Sequence, residues 1–413
     1  MVSVQSPGSS PAAGAGEWKD FKTRSLEGLK GYATHTNEPN LSAFGGWKSL
    51  RVPASGFFRV TNIMGRWWGI DPKGYGFLAT GIDFVGAPKR DAAAKKFGSL
   101  DRWAAHTADT IRSWGFANIG VETDLIPVFR KVEKPLPYTW RVLAFMASFG
   151  KMKGYTKPAA GHTGYSNDWL PVFHPEFETY CSEFAKQLES RKDDPWLLGI
   201  YSDNELPAPI DMLEKFLRIP PDDPEFKSGY AAAAAWLKGR KGTLELRTIT
   251  PRDRYEFIAF VFERYYRVVS EAIRKVDPNH LYLGTRICYE TQYRNEFFWK
   301  TISRYVDVIS INYYGVWGPE AGHVARWRQW ADKPVIISEW YAKGNDVKLS
   351  NTRGAGTLVR GQEERGLFYQ HFVLGALESG IFVGWQWLKF VDDPVDSTAL
   401  DAAGGANKGF VDP

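Results

Sequence analysis

The chain reads as an α/β protein, a (β/α)8 TIM barrel with an N-terminal hairpin and a long loop insertion after strand 4. Eight short apolar runs recur along its 413 residues, and amphipathic helical stretches separate them. No glycine-rich G-x-G-x-x-G loop follows the first run, so the competing doubly wound sheet lacks its usual mark. The length suits one barrel domain over 18–413, with the insertion at about 206–250 and a flexible arm over 1–17.

Each element has a local reason. Residues 1–17 are rich in Pro, Gly, Ser and Ala, a composition that buries little. "DPKG", Asp71 to Gly74, supplies the turn of a hairpin between Trp68 and Phe77. The first run is Phe77–Phe84. The helix "SLDRWAAHTADTIRSWG" then stops at Gly115. Phe116–Asp124 is the second run, Thr139–Met146 the third, and "WLLGIYSDNE", after the helix "PEFETYCSEFAKQLES", the fourth. The insertion holds two helix-prone stretches around "PPDDP", a usual place for a lid or cleft wall. A long amphipathic helix opens with Pro251 near its start. Runs five to eight are Leu281–Arg286, Val306–Tyr314, Pro334–Trp340 and Ile381–Phe390, with a helix over about 360–379 before the last.

Composition narrows the chemistry. The net charge of +5 comes without any long Lys/Arg block, which gives no case for a nucleic-acid partner, and no apolar run spans a bilayer. Aromatics reach 15%, with 17 Trp and 19 Tyr, and such flat rings with a polar edge suit either a core or sugar faces. Cys181 and Cys288 lack CxxC spacing and read as buried thiols. The histidines are scattered without HxH or HExxH, and no G-x-S-x-G elbow occurs, so neither a metal nor a serine triad is expected. No basic stretch followed by an apolar core marks a leader in the first residues.

Strand ends of a barrel share one mouth. Read in order they offer Asp83, Glu122 and Asp124, Asn204 and Glu205, Arg286, Asn312 to Tyr314, Glu339, and Trp385 to Trp387. Glu205 closes run four and Glu339 closes run seven, which lie across the mouth from each other. Glycoside hydrolysis needs such a pair, one carboxyl to protonate the leaving oxygen and one to attack or to activate water. Asn204 offers amide hydrogens to a sugar hydroxyl, and a tyrosine of run six offers its hydroxyl to Glu339. "DNELP" alone is equally a helix cap built on Asp203 or Asn204. Glu122 with Asp124, and Asp392 with Asp393, are rival acid pairs. Arg286 is poised between a sugar or sulfate contact and a salt bridge inside the barrel. Trp317 and Trp340 are either stacking platforms or core.

The segments "GRWWGIDPKGYGFLATGID", "SWGFANIGVETD", "SDNELP", "VIISEWYAKG", "VGWQWLKFVDDP" and "NKGFVD" resemble the agarase-like group of the clan A retaining glycoside hydrolases. The resemblance covers about Gly65 to Pro413. It implies a cofactor-free β-glycosidase for galactans of the agarose, porphyran or carrageenan type, working by double displacement. It implies Glu205 as acid/base with Asn204 on the sugar 2-hydroxyl, and Glu339 as nucleophile. Tyr313 or Tyr314 is then the hydrogen-bond donor to Glu339; Tyr314, which shares a strand face with Asn312, is favoured. Trp385 and Trp387 are implied to line the subsite of the cleaved sugar. Gln386 stands between them where relatives tend to carry a histidine, a departure that bears on the choice of sugar. A polysaccharide substrate also implies a secreted or periplasmic protein. Two other readings share parts of this pattern: a cellulase- or mannanase-like member of the clan, and a barrel that binds glycans without cutting them.

Overall fold

The structure, a computed structural model, describes residues 1–5, 17–33, 40–86 and 90–412. Eight strands form one parallel sheet: β1 Ala79–Ile82, β2 Asn118–Ile119, β3 Tyr138–Thr139, β4 Leu197–Tyr201, β5 Leu281–Gly284, β6 Ile309–Asn312, β7 Val335–Trp340 and β8 Phe382–Trp387. Seven apolar runs supply their strands, whereas the third, Thr139–Met146, meets its strand only at Thr139 and ends in a helix, Phe145–Met152. Strands neighbour one another in chain order, and β8 pairs with β1. A parallel bridge between Ile287 and Ile311 joins the β5 side to β6 and closes the circle. The fold is therefore a (β/α)8 barrel.

Alternation along the strands explains both faces. Ile82, Ile200, Ile309, Ile311, Val335 and Ile337 join the layer shared with the helices. Ala79, Leu198, Leu283, Val308, Ile336 and Val383 meet inside the barrel with Phe44, Phe58 and Phe77. Phe58 and Phe77 border an antiparallel sheet of Trp47–Arg51, Tyr75–Phe77, Arg66–Ile70 and Arg59–Ile63 that plugs the N-terminal end. The "DPKG" turn joins two of its strands, and the Asp71 carboxylate accepts from the Lys73 and Tyr75 amides at 2.9 Å each. The helix ending before Gly115 spans Leu100–Ser113, capped by the Ser99 hydroxyl, and Gly115 takes φ +84° just beyond it.

Two expectations are corrected. Val2–Gln5 is not part of a flexible arm: it pairs with Trp18–Phe21 and Thr357–Val359, and Val2 and Val4 are buried. Alternating valines in a four-residue strand outweigh the Pro/Gly-rich stretch that follows; 6–16 lie outside the described residues. The insertion after β4 does form helices, Met212–Leu217 and Lys227–Lys241, but both pack on the side of the barrel, the first of them against the long helix Pro251–Val276 and the second against the first. It lines no part of the mouth cavity. The wall comes instead from 141–163, beyond β3, and from 388–408, beyond β8. No helix of the described residues is long and apolar enough to cross a membrane.

Candidate active site

A cavity of ≈ 750 Å³ opens at the C-terminal mouth. Asn204, Arg286 and Glu339 line it, together with Glu122, Arg141, His162, Lys389 and Lys408. Just past β1 to β5 the chain turns through a non-glycine residue in the left-handed region each time: Phe84, Glu122, Ala144, Glu205 and Arg286, with φ between 52° and 66°. Each such turn costs about 1–3 kcal/mol and ends the strand abruptly, which aims the side chain at the mouth rather than along the sheet.

Glu205 and Glu339 meet on Asn312. The Asn312 Nδ2 donates to Glu205 Oε1 at 2.8 Å and to Glu339 Oε2 at 3.3 Å, and it also lies 3.3 Å from the Asn204 Oδ1. The facing oxygens, Glu205 Oε1 and Glu339 Oε2, are thus no farther apart than two hydrogen bonds laid end to end. Ser338 fixes the amide by donating to Asn312 Oδ1 at 2.8 Å. Glu339 receives two further donors, the Tyr314 hydroxyl at 2.6 Å on Oε1 and Arg286 Nη2 at 2.7 Å on Oε2. Burial pushes the Glu339 carboxyl up; Arg286 pulls it back, Glu205 pushes it up again, and Tyr314 and Lys408 favour its charged form.

Arg286 is itself buried, and its Nη2 also donates to Asp83 Oδ2 at 3.2 Å and to the Ser338 carbonyl at 2.9 Å. Asp83 is fully buried and accepts from the Val121 amide at 3.0 Å. A Cβ at Gly120 would collide with this carboxylate, so glycine is required there. Arg286 makes the internal salt bridge, reaching from Asp83 to Glu339, and also lines the cavity.

Asp203 does cap a helix, but not the one that follows it. It accepts from the Met146 and Ala147 amides at 2.8 and 3.1 Å, at the start of Phe145–Met152 in the cleft wall, and from the Tyr265 hydroxyl. Burial pushes its carboxyl up to about 7, against the pull of those donors. A carboxyl raised above its ordinary 3.8 contributes stability below that value and loses it as pH rises through about 7. Asp203→Asn is expected to lower stability by about 1–3 kcal/mol, since its amide would face a backbone N–H. The deficit should shrink between pH 4 and 7, because only the wild type carries this titration. Thermal midpoints of both proteins across that range check it, and a pH-independent difference would count against it.

Several expected ligand contacts are corrected. Tyr313 turns away: its hydroxyl lies 3.5 Å from His323 Nδ1 and accepts from the Glu320 amide at 3.2 Å, packed against Tyr293 and Trp327. Trp385 donates to the Tyr369 hydroxyl at 3.0 Å, and Trp387 to the Lys408 carbonyl at 2.8 Å. Trp340 stacks on Phe372 at 4.2 Å, and Trp317 donates to Thr23 while packing on Phe21 and Phe368. All four indoles are buried on the outer side of the strands or under the loops, away from the cavity lining. Gln386 points into the barrel below the site, accepting from Asn118 Nδ2 at 3.0 Å and donating to the Ala79 carbonyl at 2.9 Å. Gly81 leaves the space for that crossing.

The role of Asn312, placed at the mouth by its strand, was not readable: it ends an apolar strand like any polar stop, and only the closed barrel turns it into a hub. Other groups at the site escaped the reading of the chain. His162 sits on a short hairpin, Thr156–Pro158 with Thr163–Tyr165, whose turn is marked only by Gly161. The Cys288 thiol faces Glu205, and burial followed by that charge pushes it well above its ordinary value. Of the rival acid pairs, Glu122 accepts from the Val142 amide at 2.9 Å, while Asp124 pairs with exposed Arg90 at 3.4 Å. Asp392 binds Asn407 and the Gly409 amide, and Asp393 binds Lys389 and Lys408. Among the described residues, no group of three His, Cys, Asp or Glu is placed to hold a metal ion.

Comparison with known proteins gives three findings. No protein-family model matches the chain. The crystal structure of BpGH50 is similar to it at 30% identity and TM-score 0.84, over 99% of this chain and 90% of that one. The agarase AgWH50C, at 23% identity and TM-score 0.70, covers 90% of this chain and 62% of its own, and at that distance supports the fold alone. In sequence, Beta-agarase B of Vibrio sp. (strain JT0107) is 24% identical over 90% of this chain and 48% of its own length. Beta-agarase A of the same strain is 24% identical over 76% and 34%. The chain therefore spans about half the length, or less, of these curated relatives.

Proposed function

This chain belongs to the agarase-like glycoside hydrolases of the BpGH50 family, and from that membership we propose that it cleaves β-glycosidic bonds in a galactan-type polysaccharide, or its oligosaccharides, with retention of configuration. The observation that carries the mechanism is the shared Asn312 amide. Its two hydrogen bonds, 2.8 and 3.3 Å, bring one oxygen of each carboxyl group to the same amide. Facing oxygens held that close favour a direct nucleophile, whose carboxyl group stands about 5–5.5 Å from the acid, over a pair spread about an intervening water.

In this reading Glu339 is the nucleophile. Three donors surround it and favour the charged form that burial opposes. Its oxygen forms a bond to the anomeric carbon while Glu205 gives its proton to the leaving oxygen. A glycosyl-enzyme ester results. Water then attacks the same carbon, Glu205 takes the proton back, and the sugar leaves with its starting configuration. Asn204 has its oxygen turned to Asn312, which leaves its N–H groups for a sugar hydroxyl. A polymeric substrate of this kind is met outside the cytoplasm. The two Vibrio relatives are named for agar, and agarose is the first galactan to try.

The test is hydrolysis of a panel of algal and plant polysaccharides, with product mass and the first-formed anomer read by NMR. The expected result is β-configured products from a galactan. Products formed first as the α anomer would overturn the double displacement, and turnover restricted to glucans or mannans would overturn the substrate class.

A further inference from the structure

His162 reaches the site from an element that the barrel itself does not supply. It follows Gly161 at the tip of the hairpin formed by Thr156–Pro158 and Thr163–Tyr165, and the fully buried Tyr165 roots that hairpin in the core. Its Nδ1 lies 2.9 Å from the Ala160 carbonyl and 3.2 Å from Glu205 Oε2. A carbonyl oxygen only accepts, so Nδ1 keeps its hydrogen and donates. The proton that comes and goes is then the one on Nε2, which has no hydrogen-bond partner among the described residues. The ring lines the cavity.

Glu205 is thereby engaged at both oxygens, Oε1 by the Asn312 amide and Oε2 by the ion-pair contact with the His162 ring. Glu205 beyond β4 and Glu339 on β7 are the charged groups that act on His162. Arg141 beyond β3, Arg286 beyond β5, and Lys389 and Lys408 beyond β8 are the cations of the same lining. Its further acids are Glu122, Asp203, Asp393 and Asp401.

We propose that His162 is a positioning residue for the acid/base, and that the His162–Glu205 pair, rather than the glutamate alone, sets the alkaline edge of the reaction. This rests on the reading of Glu205 as the proton donor. A cationic His162 beside a charged Glu205 carries the same number of protons as a neutral pair with Glu205 protonated. The pair therefore stays competent until the imidazolium proton is lost. The hydrogen bond to Glu205, opposed by burial, holds His162 above its ordinary value.

The experiment has two arms. In the first, His162→Gln keeps an N–H for Glu205 and removes the titration. The alkaline limb of kcat/KM on a galacto-oligosaccharide is expected to fall by one pH unit or more, with about a tenfold loss at pH 7 and KM within about twofold. A profile that keeps its shape overturns the proposal. In the second, the His162 ring is titrated by NMR in the resting protein, without substrate. Glu205→Gln is expected to lower its midpoint by a unit or more, and an unmoved midpoint also overturns the proposal. Should the wild type cut no galactan, the functional reading falls, and the NMR arm still judges the pair.

Discussion

Glu339→Ala is expected to lower kcat by at least about 10³-fold while the barrel stays folded, because on the proposed mechanism the variant loses the group that forms the glycosyl ester. The fold should tolerate it. The carboxylate is a buried charge near a second acid, and removing it relieves desolvation as well as breaking the contacts with Tyr314 and Arg286. Steady-state kinetics on the accepted galactan and a thermal melt check both halves. A small anion such as azide, placed in the space the side chain leaves, is expected to restore turnover of an activated aryl glycoside. The restored product should have inverted configuration. A variant with most of its activity intact would remove Glu339 from the chemistry altogether.

The second large effect is on stability. Arg286→Met strips the cation from Asp83, which is fully buried and has Arg286 as its ion-pair partner. Leaving one member of a buried pair uncompensated costs about 3–5 kcal/mol. The denaturation midpoint should fall accordingly, and Glu339, deprived of its strongest pull toward ionisation, should titrate higher. Asp83→Asn in the same background is expected to recover part of the loss, which a double-mutant cycle measures. If Arg286→Met alone stayed within about 1 kcal/mol of wild type, Asp83 would have to be held neutral in the folded state.

The barrel was legible because each strand is a short, nearly continuous apolar run with a polar stop, and because helices of ordinary amphipathic period separate the runs. The order of the stops around a closed sheet follows from chain order alone, which is why Glu205 and Glu339 could be placed at one mouth. What the chain does not carry is the face of a strand. Alternation says that Trp385 and Trp387 share a side and Gln386 takes the other, but a shift of one residue exchanges the two sides. The aromatic pair turns outward to the helix Gln362–Ser379, and the amide turns inward. Tyr313 and Tyr314 pose the same question, and Asn312 on the same strand supplied a reference for it. Groups delivered by irregular loops were invisible for a different reason. His162, Lys389 and Lys408 have no periodic pattern around them, and their positions depend on contacts far along the chain.

One such contact reaches beyond the folded site. The helix Phe145–Met152 has no side chain of its own at its start, where Ala144 turns left-handed at φ 66°. Its first free amides are satisfied by Asp203, which lies 57 and 56 residues away in the chain from Met146 and Ala147. A helix of two turns is not self-sustaining in water. It must wait until β4 has docked beside β3, after a loop of that length has closed. The wall that carries His162 toward Glu205 thus cannot settle before that pair of strands has formed. The Met146 and Ala147 amides are the natural reporters of that moment.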